Sequence, residues 1–268
     1  MKLGILCREK RIEIEEIEKL LKNNKIDTEI LFLDQISLPA KKDLDYLIVR
    51  GGPGIKRIED WNLLLSVIKN LESDGIKCIN SSQVIENGMN KFLTYQLFKK
   101  NNIPTPETSL YHDVLSINKF PVVAKPVIGS EGEGVEKIKN KEELKQIKYR
   151  PVLIQEFIPH GGIDYRAYIV GDRVLGGIAR RAKDGWITNL AKGGIPEKHI
   201  LSKEEENIAK RAAAAINAEI ATVDFVNLDG NIYVLEVNVL PLFSERLVEV
   251  TGFNLAEEIV KYFLERYM

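Results

Sequence analysis

Two apolar runs joined by an Asp-Gly turn constrain this chain most: "ATVDFV" (221–226), then "NLDGN", then "IYVLEVNVL" (232–240). Both runs are rich in the β-branched and aromatic residues that suit a pleated, half-buried surface. Asp-Gly between such runs marks a tight hairpin. The turn centres near 229–231, so Asp224 is expected opposite a residue around 236. Side chains alternate across a strand, which puts Glu236 and Asn238 on one face with Asp224 beside them. An otherwise apolar hairpin thus gathers two carboxylates and one amide oxygen. Burying a carboxylate without a partner is costly, so the cluster calls for positive charge.

Two sources of that charge stay open on the residues alone. Glu236 could pair with a nearby Arg or Lys. Alternatively, hard oxygen ligands without His or Cys point to Mg²⁺, commonly held by one or two carboxylates plus substrate phosphates. A metal at Asp224, Glu236 and Asn238 implies a nucleotide, and a phosphate grip must then exist. No GxxxxGK[ST] loop and no GxGxxG after a strand is present. The remaining candidate is "IGSEGEG" (128–134), with Gly129, Ser130, Glu131, Gly132 and Gly134, whose backbone N–H groups nothing would shield from phosphates. Such turns also join strands for conformational reasons alone. Lys125, in "PVVAKPV" just before it, is a charge amid Val and Ala; the alternative is an edge lysine with its head in water.

The rest of the chain divides by period. Over the first 80 residues, strands at 3–7, 29–34, 46–52 and 77–80 alternate with helices at 10–23 and about 60–73. That alternation implies a small parallel sheet covered by helices. A helix over 90–101 stops at "NNIPTP". Strands at 121–127 and 134–140, a short helix and a strand at 151–158 make a compact α+β unit. A strand pair turning at Gly171–Asp172 opens the last part. Ser202 with Glu205 is a capping box for the helix that follows, and Asn254 with Glu257 caps the closing helix.

Bulk properties exclude several classes. The 268 residues are 44% hydrophobic and 29% charged, with 38 basic and 39 acidic side chains and a net charge of −1. No overall attraction to nucleic acid or anionic membrane follows. The segment "ARRAKDGWITNLAKGG" (179–194) sets basic residues around Trp186, a pattern also seen where bases stack, yet the neutral balance argues against nucleic acid. Cys7 and Cys78 stand far apart, so a reducing, cytoplasmic setting without disulfides is expected. No apolar run spans a bilayer. The three histidines lack metal-ligand spacing, and HExxH and GxSxG are absent.

In order and spacing, "NK" (90–91), "AKPVIGSEGEGV", "QEFI", "DYRAYIVGDRV", "RR…WITNLAKGG", "VDF" and "LEVN" resemble the ATP-grasp carboxylate–amine ligases of the RimK and LysX-like branch, with "WITNLAKGG" similar to the archaeal α-L-glutamate ligase pattern. The resemblance covers nearly the whole chain. It implies α/β and α+β architecture: an ATP-grasp fold behind a small parallel-sheet domain. The expected units are 1–84 on the substrate side, 85–155 carrying the glycine-rich flap, and 156–268 carrying the metal ligands.

What the resemblance implies for residues follows position by position. Lys91 and Lys125 would reach ATP phosphates under the 129–134 flap. Gln155, Glu156, Phe157 and Ile158 would read adenine, and Asp164 would take the ribose. Asp224, Glu236 and Asn238 would hold Mg²⁺, two ions in all, with Mn²⁺ able to substitute. Arg166, Arg180, Arg181 and Asn189 would face the transferred phosphate and the acid substrate, and Arg50 in "IVRGG" a substrate carboxylate. The implied reaction phosphorylates a carboxylate, after which an amine, expected to be that of L-glutamate, displaces phosphate. The acceptor would be a cofactor, a carrier protein or a protein tail, and the protein a homo-oligomer without nucleic-acid or membrane partners. One departure stands out. After "EVN" the family often continues with a small residue, Pro and Gly, whereas here Leu242 and Phe243 follow where an acceptor would approach. A LysX-like ligase acting on a carrier protein and a nucleotide-binding regulator without turnover are the competing readings.

Overall fold

Strand β1 (Lys2–Cys7) is buried from Leu3 to Cys7 without a break, as expected of a parallel strand covered on both faces. It pairs in parallel with β2 (Asp27–Phe32) and β3 (Tyr46–Gly51), and β4 (Lys77–Ile79) completes the order β2-β1-β3-β4. Helices α1 (Ile12–Asn23) and α2 (Ile58–Ser73) cover this sheet. In α1 the buried Ile14, Ile17 and Leu21 recur at helical spacing, so one stripe faces the core. The computed structural model describes residues 1–51, 57–113, 116–242 and 244–268. Gly52, the expected end of the third strand, and Phe243 lie outside the described residues.

Helices α3 (Ser82–Met89) and α4 (Lys91–Lys100) lead into a second sheet. It comprises β5 (Thr108–Tyr111), β6 (Val122–Pro126), β7 (Glu136–Ile138) and β8 (Val152–Glu156), with helix α5 (Lys141–Gln146) before the last, in antiparallel order β5-β8-β6-β7. The third sheet takes β9 (Ile163–Val170), β10 (Arg173–Arg181) and β11 (Ile195–His199). After helix α6 (Lys203–Ala215) come β12 (Ile220–Leu228) and β13 (Asn231–Asn238), and the order is β11-β10-β9-β12-β13. Helices α7 (Glu245–Thr251) and α8 (Leu255–Tyr267) close the chain.

The expected hairpin forms in the expected register: Asp224 pairs with Glu236 and Thr222 with Asn238. Asp229 and Gly230 both take positive φ at its turn, the conformation that an Asp-Gly pair tolerates. The Ser202–Glu205 capping box is also present. Strands β5 and β11 and helices α3 and α7 went unforeseen. The sequence of β11, "IPEKH", carries Pro and charge, which belong on an edge strand rather than in a strand signal.

The two faces of the third sheet have different fates. Ala167, Val223, Phe225 and Val237 share a core with Ala209 and Ala212 of α6. On the other face, Tyr168, Val170, Ile178 and Ile220 pack with Leu255, Ile259 and Phe263 of α8 and with Ile14 and Ile17 of α1. Further along that same face the side chains turn polar, and there the site lies.

Candidate active site

Alternation along β9, β10 and β12 puts Asp164, Arg166, Arg180 and Asp224 on one face, and cross-strand pairing sets Arg180 opposite Asp164 and Arg166 opposite Asp224. Arg166 grips Asp224 with two bonds, Nε to Oδ1 at 2.7 Å and Nη2 to Oδ2 at 2.8 Å. Arg180 grips Asp164 likewise, at 2.8 and 2.6 Å, and also reaches Asp224 Oδ2 at 2.8 Å. Thr188 donates to Asp164 Oδ2 at 2.7 Å. Paired, bidentate guanidinium–carboxylate contacts of this kind are the strong ones. Burial by itself would raise the Asp224 pKa, but the two arginines outweigh it and hold the carboxyl well below the usual carboxylate range.

Glu236 contrasts with its neighbour. It forms no ion pair or hydrogen bond with the described residues, while Lys91 and Lys125 feel its charge across the cleft. Asn238 lies with its Nδ2 3.5 Å from Asp224 Oδ2. No group of three or more His, Cys, Asp or Glu side chains suited to a metal occurs among the described residues. The donor set is instead two carboxylates and one amide. Hard, anionic oxygens suit Mg²⁺, and the unpaired Glu236 carboxylate is a free ligand, so the residues present fit that ion. The reading in which Glu236 merely pairs with Arg or Lys does not hold in this geometry.

The second sheet supplies the facing wall. Lys125 on β6 donates from Nζ to Gln155 Oε1 at 2.7 Å, and Gln155 Nε2 in turn donates to Thr108 Oγ1 at 2.9 Å. Enclosure lowers the Lys125 pKa to about 8, opposed by Glu236. Lys91, at the start of α4, donates from Nζ to the Gly129 carbonyl at 2.5 Å and so ties the glycine-rich hairpin to the helix. Its pKa too is lowered by burial. Gly132 has φ +72°, and a Cβ there would sit 2.7 Å from Asn189 Oδ1. Only glycine lets the hairpin rest on Asn189.

Together these walls line one open cleft between the second and third sheets. Lys91, Lys125, Gly129, Ser130, Glu131, Gly132, Gln155, Glu156, Phe157, Ile158, Asp164, Arg180, Asn189, Asp224, Glu236 and Asn238 all line it. A second cleft adjoins it, shares Lys91, Arg180, Asn189, Glu236 and Asn238, and adds Arg166, Trp61, Met89, Leu240 and Leu242.

Four expected residues sit differently. Gly134 lies outside both sets of lining residues, and its carbonyl accepts from Tyr149 Oη at 2.6 Å. Arg181 points the opposite way from Arg180, as alternation on β10 requires, and pairs at the surface with Glu197 at 2.9 Å. The buried Arg50 is held by Glu13, Nε to Oε1 at 2.6 Å, and donates to the Pro241 carbonyl at 2.6 Å. At 2% exposure it lines neither cleft, though the Pro241 it holds lines the second. Asp164 spends its carboxylate on Arg180 and Thr188 and orients them, which leaves little of it for a ribose.

Thr188 and His160 carry no site signal in the sequence, and Trp186 stands out there only within "WITNLAKGG", without a role of its own. Trp186 instead meets the Phe157 ring edge-on at 5.7 Å, with the His160 ring at 6.4 Å. Lys137 Nζ stands 3.6 Å over the Phe157 ring. In "WITNL" four consecutive residues, Trp186 to Asn189, line the cleft from a segment without regular structure, so no periodicity marks them.

A cleft gripped between two antiparallel sheets, with cations facing an acidic strand pair, is the arrangement of the ATP-grasp fold, and the protein is an ATP-dependent carboxylate–amine ligase of that fold. Residues 88–263 match the RimK-like ATP-grasp domain, and the chain belongs to that family. It is 30% identical to the tetrahydromethanopterin:alpha-L-glutamate ligase of Methanococcus maripaludis, with 98% of this chain and 99% of that protein covered. It is 29% identical to the glutamate–LysW ligase ArgX of Sulfurisphaera tokodaii, with 96% of each covered. The ATP-grasp ligase PsnB, solved with a precursor variant, Mg and ADP, superposes with a TM-score of 0.75 at 16% identity over 99% of this chain and 98% of that one. The last likeness bears on the fold alone. Enzymes of this family use ATP and Mg²⁺. Among the described residues no helix is long and apolar enough to cross a membrane.

Proposed function

We propose that this protein joins the amine of L-glutamate to a carboxylate of an acceptor, with ATP supplying the activation. The carrying observation is that the cleft between the two sheets and the second cleft meet at Arg180, Lys91, Glu236 and Asn238. A γ-phosphoryl group in the first can therefore meet a carboxylate in the second. The acceptor carboxylate attacks that phosphorus, ADP leaves, and an acylphosphate forms. The glutamate amine then attacks the acyl carbon, loses a proton, and expels phosphate as the amide closes.

Glu236, Asp224 and Asn238 would hold Mg²⁺, two ions in all with Mn²⁺ able to substitute, and the metal would supply charge to neutralise the phosphates. The chain's own groups do the rest. Lys91 and Lys125 draw the phosphates against the flap. Arg166 and Arg180, already fixed by Asp224 and Asp164, face the transferred group and the developing oxyanion without reorganising. Asn189 supports the flap at Gly132, and a closed flap excludes the water that would hydrolyse an acylphosphate. Phe157 and Trp186, packed edge to face, line the apolar end of the cleft where the base would lie. Residues 1–84 shape the acceptor side, 85–155 the flap side and 156–268 the metal side of a cytoplasmic homo-oligomer.

Glutamate is the amino acid named for both relatives, one acting on a cofactor and the other on a carrier protein. The reading is tested with purified protein, ATP, Mg²⁺, L-glutamate and a panel of pterin, deazaflavin and carrier-protein acceptors. ADP and phosphate release that requires both acceptor and glutamate is the expected result. Nucleotide binding with no ADP from any acid–amine pair would instead favour a regulator.

A further inference from the structure

The strand that carries Glu236 and Asn238 ends in "VLPL", and two buried side chains from the first 80 residues hold that exit. Asn80 is 1% exposed. Its Nδ2 donates to the Val239 carbonyl at 2.8 Å and to the Ile220 carbonyl at 2.7 Å, while its Oδ1 accepts from the Glu219 and Ile220 N–H groups at 2.8 and 3.1 Å. One amide thus uses all of its hydrogen-bonding capacity to join β12 to the residue directly after Asn238. Arg50 takes the next purchase: its Nη2 donates to the Pro241 carbonyl at 2.6 Å, and Glu13 balances its charge. Helix α3 closes the third side. A Cβ on Gly88 would come 2.5 Å from Val239 Cγ1.

We propose that Asn80 and Arg50 are positioning residues that set the end of β13, and through it the Asn238 donor and the Val239–Leu242 wall of the second cleft. The inference rests on the reading of Asp224, Glu236 and Asn238 as the metal set. Neither residue touches the nucleotide cleft. Their loss therefore weakens metal capture and leaves metal-free nucleotide binding alone. The arrangement also bears on the departure in sequence: Leu242 stands after Pro241 where the family often has Gly, and the chain leading to it is pinned by the Val239 and Pro241 carbonyls.

Two variants test this, each removing one clamp: Asn80→Asp, which keeps shape and loses the two donations, and the pair Glu13→Gln with Arg50→Met, which removes the second without stranding a buried carboxylate. Mn²⁺ binding is followed by electron paramagnetic resonance in the presence of ADP, ADP affinity is measured without metal, and amide exchange is followed by mass spectrometry. Half-saturating Mn²⁺ is expected to rise roughly tenfold or more, as for residues that orient a metal ligand. Exchange over 237–242 should quicken and metal-free ADP affinity should hold. Unchanged Mn²⁺ binding in either folded variant overturns the proposal, as does an equal loss of metal-free ADP binding. Glu236→Gln is run alongside. If it leaves Mn²⁺ binding intact, the metal reading itself fails and the proposal falls with it. If it weakens binding while both clamp variants do not, only the clamp is wrong.

Discussion

Glu236 stands directly opposite Asp224 across the β12–β13 pair, yet only Asp224 is gripped by arginine. The two carboxylates are neighbours by register and differ in everything around them. Asp224 lies beside β9, so Arg166 reaches it from the facing position. Glu236 lies on the sheet's edge strand and faces the cleft. One is anchored by arginine and the other left available, so of the two carboxylates Glu236 is the one free to take a cation without breaking an ion pair.

Replacing Glu236 by alanine should abolish Mg²⁺-dependent ADP release. The loss should exceed the roughly 10–100-fold typical of residues that only orient a ligand. Half-exposed and unpaired, the side chain contributes little to folding, so the melting temperature should barely move. Turnover that survived the change would remove Glu236 from the metal set.

Arg180→Met should destabilise the fold by about 3–5 kcal/mol, because Asp164 and Asp224 are left buried with too few partners. Chemical denaturation would read this as a lower midpoint. Adding Asp164→Asn should recover part of the loss. A midpoint equal to wild type would mean that the ion network contributes nothing to stability.

The low Asp224 pKa has a pH consequence. Its carboxyl ordinarily titrates at 3.8 and is held below that in the fold. Its contribution is therefore fully present above pH 3.8 and lost as pH falls toward the lower, folded value. Acid unfolding curves of wild type and Asp224→Asn should converge at the acid end and separate above it.

Lys125 acts at the other end of the scale. With its pKa at about 8, it is charged below that pH and neutral above it in the empty cleft. Affinity for a non-hydrolysable ATP analogue should be flat below pH 8 and fall above it, by up to about tenfold per unit where one proton is taken up on binding. Lys125→Arg, charged throughout, should flatten the profile. A wild-type curve with no break near pH 8 would contradict the assignment.

Arg181→Ala should leave turnover unchanged, since its only ion-pair partner among the described residues is the surface Glu197. A steady-state comparison with Arg180→Lys checks this. A severe loss in the Arg181 variant would restore it to the site.

Much of the site was legible because it depends on local spacing. Period-two alternation and an Asp-Gly turn decide that Asp224, Glu236 and Asn238 share a face, whatever surrounds them. The flap was legible for the same reason: three glycines in seven residues, between two strands, mark a hairpin whose backbone stays open to a ligand. Within an element, then, the sequence by itself determined which side chains travel together. Which partners they meet was decided only in three dimensions. Placing β9 between β10 and β12 brings Arg166 and Arg180 onto Asp224 and turns Arg181 away, though Arg180 and Arg181 look alike in the chain. Arg50 was expected to meet substrate and instead holds Pro241, 191 positions away. Counter-charges and clamps are long-range contacts, selected by sheet order and packing, and no periodicity within a segment encodes them.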